Sequence, residues 1–153
     1  MENNFVENND LDKTDLEIIT VLLKNAKITY NEIADQLGIS TSTAHIRIKK
    51  MEALNIIRGY NLRVDFAKLG MKLTAFIGFI IDPKLHKKIA ADLLKIEEIV
   101  DLHHTTGNFH MLAKLICRDS EHLREILQDK FTAIAGIEKT ETMISLEEVL
   151  HSY

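Results

Sequence analysis

The side chains best placed to do chemistry gather between Ser40 and Arg63. Ser40, Thr41, Ser42 and Thr43 are consecutive hydroxyls, and His45, Ile46, Arg47, Lys49 and Lys50 come directly after them. At about 100° per residue, a helix here turns Ala44, Ile48 and Met51 to one side. Ser42, His45, Ile46 and Lys49 then fall on or near the other, with Arg47 and Lys50 on the flanks. Hydroxyls and a lysine can hydrogen-bond base edges in a DNA major groove, and an isoleucine can meet a thymine methyl. Arg47, Lys50, Arg58 and Arg63 suit phosphate, a contact that positions without specifying sequence. Five basic residues face Glu52 alone across Ser40–Arg63, a balance of +4 in a chain of net charge −4. Positive charge gathered locally in an acidic chain is the footprint of a nucleic-acid surface, not of a polybasic coat. Two of these residues have a plainer use: Ile46 as edge packing and Arg47 as an internal ion-pair partner.

Other reactive types carry less. His103, His104 and His110 invite a metal reading, but neighbouring strand residues point to opposite faces, so the first two do not converge on one ion. No metal and no cofactor are expected. No nucleophile–base pair, P-loop or zinc spacing occurs, so no catalytic residue is assigned. Thr106-Gly107-Asn108 reads as a plain hairpin turn in which Gly107 supplies φ > 0. Cys117 is the only cysteine; it reads as a small buried apolar residue, and a reducing compartment fits. Hydrophobic content of 46% and charge of 27% are ordinary for a globular protein. No apolar run reaches bilayer length and Met1–Asp10 lacks a signal-peptide core, so a soluble cytoplasmic protein with no membrane partner is expected.

The elements that must position these residues are well punctuated. Thr29 and Glu32 form a capping box, with Ile28 and Ile33 as its hydrophobic staple. Ile33, Ala34 and Leu37 mark one face of a short helix that Gly38 stops, and Ser40 caps the next. Upstream, Asp12 and Asp15 cap a first helix, with Leu11 and Leu16 as the staple and Leu16, Ile19, Leu22 and Leu23 as the expected apolar stripe. Two capped helices about a glycine-containing turn, backed by a third, predict a helix-turn-helix. Ile56–Val64 is β-prone, either a wing or the first strand of a second domain. Asp65 then caps a short turn that Gly70 ends.

From Leu73 the pattern changes. Leu73–Ile81 reads as a buried strand, Asp82-Pro83 opens a helix striped by His86, Ile89, Ala90, Leu93 and Leu94, and Ile99–Thr105 reads as a strand. Phe109–Cys117 returns, Asp119 or Ser120 caps a helix with Leu123, Ile126, Leu127 and Phe131, and Ile137–Leu146 alternates as a last strand. The fold class is α+β. A winged helix-turn-helix precedes a ferredoxin-like β-α-β-β-α-β domain that leaves one sheet face open for a partner. The expected division is a tail over 1–10, a DNA-binding domain over 11–60, a linker strand and turn over 61–72, and a second domain over 73–153.

This succession resembles the leucine-responsive regulator/asparagine-synthetase activator (Lrp/AsnC) family from Leu11 to Leu146. The marks are Leu11-Asp12-x-x-Asp15-x-x-Ile18-Ile19, Ile33-Ala34-x-x-Leu37-Gly38-Ile39-Ser40, Arg47-Ile48-Lys49-Lys50-Met51-Glu52 and Ile57-Arg58-Gly59-Tyr60. Ile134-Ala135-Gly136-Ile137 fits the family's Leu-Pro-Gly-Val loop. Thr106-Gly107-Asn108-Phe109-His110 stands where the family carries Thr-Gly-Asp-Tyr-Asp. The resemblance implies a regulator of transcription whose homodimers bind double-stranded DNA and assemble to octamers. It also implies a small-molecule effector, typically an amino acid, near Thr106, Gly107, Asn108, Phe109 and His110. Carboxylates favour an ammonium group more than the amide of Asn108 or the imidazole of His110 does, so the effector is an amino acid or another small molecule. Two alternatives stand beside this reading: a sirohaem-decarboxylase-like enzyme on the same fold, and an architectural protein that wraps DNA with little base preference.

Overall fold

The first three helices owe their ends to single side chains. In the computed structural model, which describes residues 10–148, α1 (Lys13–Lys24) opens on a reciprocal box. Asp12 accepts from the Asp15 amide at 2.9 Å, and Asp15 accepts from the Asp12 amide at 3.2 Å. The expected tail, Met1–Asp10, lies outside the described residues except for Asp10. Helix α2 (Tyr30–Leu37) opens on the Thr29–Glu32 box and closes at Gly38, whose φ of 65° is where a side chain is strained. In α3 (Thr41–Ala53) the Ser40 hydroxyl accepts from the Thr43 amide at 3.1 Å. Its C-terminus is an unforeseen Schellman motif: Asn55 takes φ 55°, its amide reaches the Glu52 carbonyl, and Ile56 N–H reaches the Met51 carbonyl.

Ile18, Ile33, Ala44, Ile48 and Met51 form the buried core of this unit. The stripe expected for α1 needs correction. Ile18 is fully buried, Ile19 and Leu22 only pack against the core, and Leu23 is exposed. Apolar residues lie on two sides of α1, so periodicity alone does not choose the face; contact with both α2 and α3 does. The β-prone Ile56–Val64 stretch is also corrected. It forms no strand, because no segment of the described chain pairs with it and an extended run without a neighbour has no ladder. Ile56 and Ile57 pack against the core instead.

The chain divides between Arg63 and Val64 into two compact units. The second begins with a 3-10 turn, Phe66–Leu69, capped by Asp65 and ended by Gly70. It continues as β1 (Leu73–Ile81), a short turn capped by Asp82, α4 (His86–Leu93) and β2 (Ile99–His104). Then come β3 (Met111–Cys117), α5 (Ser120–Glu125) with a π turn to Phe131, and β4 (Ile137–Ile144). The sheet order β2-β3-β1-β4, antiparallel throughout, is the ferredoxin-like arrangement.

Alternation along the strands sends Ala75, Ile77, Phe79 and Ile81, with Met111, Ala113, Leu115 and Cys117, into one core beneath the helices. Ile89, Leu93, Leu123, Ile126 and Phe131 meet them, Phe131 edge-on to Phe79 at 5.1 Å. The helix stripe expected for α4 is too wide: His86, at the first position, turns its ring back to the Pro83 carbonyl, and Leu94 is the C-cap beyond the last turn, so both are exposed. Leu85 and Ile96 pack against the core in their place.

Candidate nucleic-acid interface and effector hairpin

Helix α3 is anchored by Ala44, Ile48 and Met51, which leaves the opposite side outward. Ser42, His45, Ile46 and Lys49 are all exposed there, Ile46 by 66%. Ile46 is not among the residues that pack against the core of this unit. The hydroxyl quartet divides. Ser40 Oγ caps the helix and bonds Thr43 Oγ1 at 2.7 Å and Ser42 Oγ at 2.9 Å. Thr41 Oγ1 donates to Asn31 Oδ1 at 2.9 Å, across the turn. Ser40, Thr41 and Thr43 therefore serve the turn itself, while Ser42 is exposed and its hydroxyl contacts only Ser40 among the hydroxyls of the quartet. His45 is held by the ring of Tyr30, edge-on at 5.0 Å.

The basic residues divide as well. Arg47, expected on phosphate, turns inward: its guanidinium donates to Asp12 at 2.6 Å and to Asp15 at 2.8 Å. Asp15 is fully buried, and a buried carboxylate needs a cation, so the internal pairing is the use found. The Arg47 hydrogen bond, with help from the Asp15 amide, holds the Asp12 carboxyl below its usual range. Lys50 donates to the Asp10 carbonyl at 2.6 Å and lies 3.5 Å from Asp15. Lys49 pairs with Glu52 at 2.7 Å. Arg58 and Arg63 are exposed and make no ion pair with the described residues.

The hairpin between β2 and β3 is tied to β1 by two residues. The His110 amide donates to the Phe79 carbonyl at 2.9 Å, and His110 Nδ1 accepts from the Ile81 amide at 3.0 Å. The ring is thus committed to hydrogen-bonding the end of β1. Phe109 lies flat on Gly78: a Cβ there would meet the ring at 2.6 Å, so only glycine permits the approach. Thr105 Oγ1 donates to the Phe109 carbonyl at 2.8 Å. Thr106, Gly107 and Asn108 form the exposed tip, Gly107 at φ 107°.

Of the five hairpin residues, Phe109 and His110 build the frame and three remain outward. His103 and His104 are on opposite sheet faces, His104 edge-on to His86 at 5.9 Å. Among the described residues no three potential ligands converge on a metal site, and no helix is long and apolar enough to cross a membrane. Cys117 is buried, which pushes its thiol up to about 11. The sequence carries no functional sign of Tyr30 or Gly78, and marks Glu52 and Tyr60 only as parts of motifs, Glu52 also as the lone acid of the basic stretch.

A capped helix-turn-helix whose second helix turns Ser42, His45, Ile46 and Lys49 outward, followed by a β-α-β-β-α-β unit, is the architecture of a DNA-binding regulator with a second, ligand-binding domain. Residues 11–58 match a winged helix-turn-helix DNA-binding domain and residues 74–153 match the Lrp/AsnC ligand binding domain. The chain belongs to the Lrp/AsnC family of transcriptional regulators. It is 34% identical to the regulatory protein AsnC of Haemophilus influenzae, covering 90% of this chain and 93% of that one. The solved structure of Escherichia coli AsnC is 33% identical, with a TM-score of 0.86 and coverage of 94% and 97%. A transcriptional regulator of Neisseria meningitidis, solved as an L-Met complex, superposes with a TM-score of 0.88 at 26% identity, over 93% and 94% of the two chains.

Proposed function

We propose that this regulator reads the major groove with Ser42, His45, Ile46 and Lys49, while Arg58 and Arg63 contact phosphates. The observation that carries this is the exposed row itself: an apolar Ile46 and three polar neighbours on the outer face of a firmly anchored α3. Two copies related by a dimer axis would place their α3 helices in successive major grooves, about 34–36 Å apart. The sheet face opposite the helices, with Phe76, Ile80 and Leu112, is the surface we assign to that homodimer, and further assembly to an octamer accords with the family. The protein acts in the cytoplasm by binding and not by catalysis. The effector site lies at Thr106–Asn108 on the frame of Phe109 and His110. The L-Met complex of the Neisseria relative favours an amino acid. An effector works only through a difference in affinity between assembly states.

The test is binding of the purified protein to its own upstream DNA and to random DNA. It is run at two salt concentrations, with and without a pool of amino acids. Tight binding to the upstream fragment alone, weakening with log salt by about 0.9 per phosphate contact, is expected. Equal binding to both DNAs would replace this reading with the architectural one. No binding at low salt would overturn it.

A further inference from the structure

Lys49, the only formally charged member of the reading row, is already paired in the free protein. Its Nζ donates to Glu52 Oε2 at 2.7 Å, one turn along α3. The other oxygen of the same carboxylate, Oε1, accepts from the Tyr60 hydroxyl at 3.0 Å. An i,i+3 pair on a helix surface is ordinarily weak, because two long side chains must be held in one geometry. Here a third group shares the work. Tyr60 binds the same carboxylate from outside the helix, so Glu52 meets Lys49 and Tyr60 at once, one on each oxygen. Partial burial and the carboxylate push the Tyr60 hydroxyl up to about 12, in keeping with its place as the donor in this bond. Hydrogen bonds from Lys49 and Tyr60 hold Glu52 below its usual range, so it remains an acceptor. Glu52 is also the one acid in the basic stretch Ser40–Arg63, and it sits beside the residue best able to address guanine.

We propose that Glu52 and Tyr60 are positioning residues for specificity, keeping Lys49 charge-compensated until base acceptors in register draw it away. This rests on the DNA-reading role proposed for α3. Electrostatics supplies the reason. A cation that approaches phosphate with its own carboxylate attached displaces no net counterion, so it adds nothing to non-specific affinity or to its salt dependence. A guanine edge offers two acceptors at a place set by the docking of the whole helix, and competes with Glu52 by geometry. Lys49 then contributes to discrimination between sites more than to bulk affinity. Tyr60 sets how firmly Glu52 holds it.

The experiment compares the full-length wild type with Glu52→Gln and Tyr60→Phe, each also in a Lys49→Ala background. Binding to upstream and random DNA is titrated over a salt series. Glu52→Gln is expected to tighten random-DNA binding and to steepen its log–log salt slope by about 0.9 per bound subunit. The ratio of upstream to random affinity should fall several-fold. Tyr60→Phe should move both quantities the same way by less, and it keeps the test open where Glu52→Gln disturbs folding. In the Lys49→Ala background the slope change should vanish. If Glu52→Gln acts equally with and without Lys49, Glu52 merely repels DNA and the proposal fails. Unchanged slopes in a wild-type protein that prefers its upstream DNA overturn this proposal alone. A wild type without that preference overturns the DNA-reading role, and this proposal with it.

Discussion

Replacing Arg47 by methionine keeps an alkyl stem of similar bulk and deletes the guanidinium that joins α3 to the start of α1. Two charge-assisted hydrogen bonds are lost. The one to Asp12, 56% exposed at the side chain, contributes little, about 0–1 kcal/mol. The one to Asp15, at 0%, decides the outcome. Removing one partner of a buried pair typically costs about 3–5 kcal/mol. Arg47 is itself 28% exposed, and Asp15 keeps the Asp12 amide at 3.2 Å and Lys50 at 3.5 Å. The expected loss is therefore about 2–3 kcal/mol. In a helical unit this small, that lowers the melting midpoint by roughly 10–20 °C.

Urea titrations followed by far-UV ellipticity measure the loss. Adding Asp15→Asn to Arg47→Met removes the stranded charge and should recover at least part of it. The acid limb gives a second check. The folded pKa of Asp12 is depressed, so its contribution is present above the ordinary 3.8 and is lost as pH falls through the folded value. Arg47→Met should flatten that limb. A stability change below about 0.5 kcal/mol, together with weaker DNA binding and a shallower salt slope, would refute the clamp and return Arg47 to phosphate contact.

The second unit offers three further tests. Gly78→Ala drives a Cβ into the Phe109 ring at 2.6 Å and should destabilise by about 1–3 kcal/mol in chemical denaturation, relieved by Phe109→Ala in the same chain. His110→Ala leaves the Ile81 amide without its acceptor, which should cost about 1–2 kcal/mol and loosen the β2–β3 hairpin in amide exchange. Burial works to raise the pKa of Glu98, but hydrogen bonds from Lys130 at 2.7 Å, from the backbone and from His122 at 3.0 Å together hold it below 4.5. Its stabilisation is present above that value and is lost as pH falls through the depressed one. Glu98→Gln should therefore lose stability at neutral pH and show less further loss down to about pH 3.

Local signals carried the element boundaries because each is a contact between residues three or four apart. Asp12 with Asp15, Thr29 with Glu32, Ser40 with Thr43 and the left-handed Gly38 all lie where their types predict. Leu73–Ile81 is a strand over its full predicted length, since nine apolar and small residues ending at Asp82-Pro83 admit little else. Where a helix had two apolar sides, as in α1, the pattern offered no choice between Ile18 and Leu23. Ile56–Val64 has strand composition and no strand, because β-propensity describes fitness for a ladder and not the presence of a neighbour. Asn55 as a left-handed terminus was missed for the opposite reason: asparagine does that work less often than glycine, and its type alone did not announce it.

The order of residues was enough to specify the helix-turn-helix, the second unit and the outward exposure of Ser42, His45, Ile46 and Lys49 on α3, because helix phase is a property of consecutive residues. Which cations are available was settled by folding. Arg47 meets Asp12 and Asp15 across more than thirty residues of chain, and no spacing rule links them. Folding likewise brought Phe109 onto Gly78 and His110 onto Ile81, so two of five hairpin residues became frame. Charge and composition say what a side chain can do. Only the neighbours that folding brings to it decide whether it is free to do it.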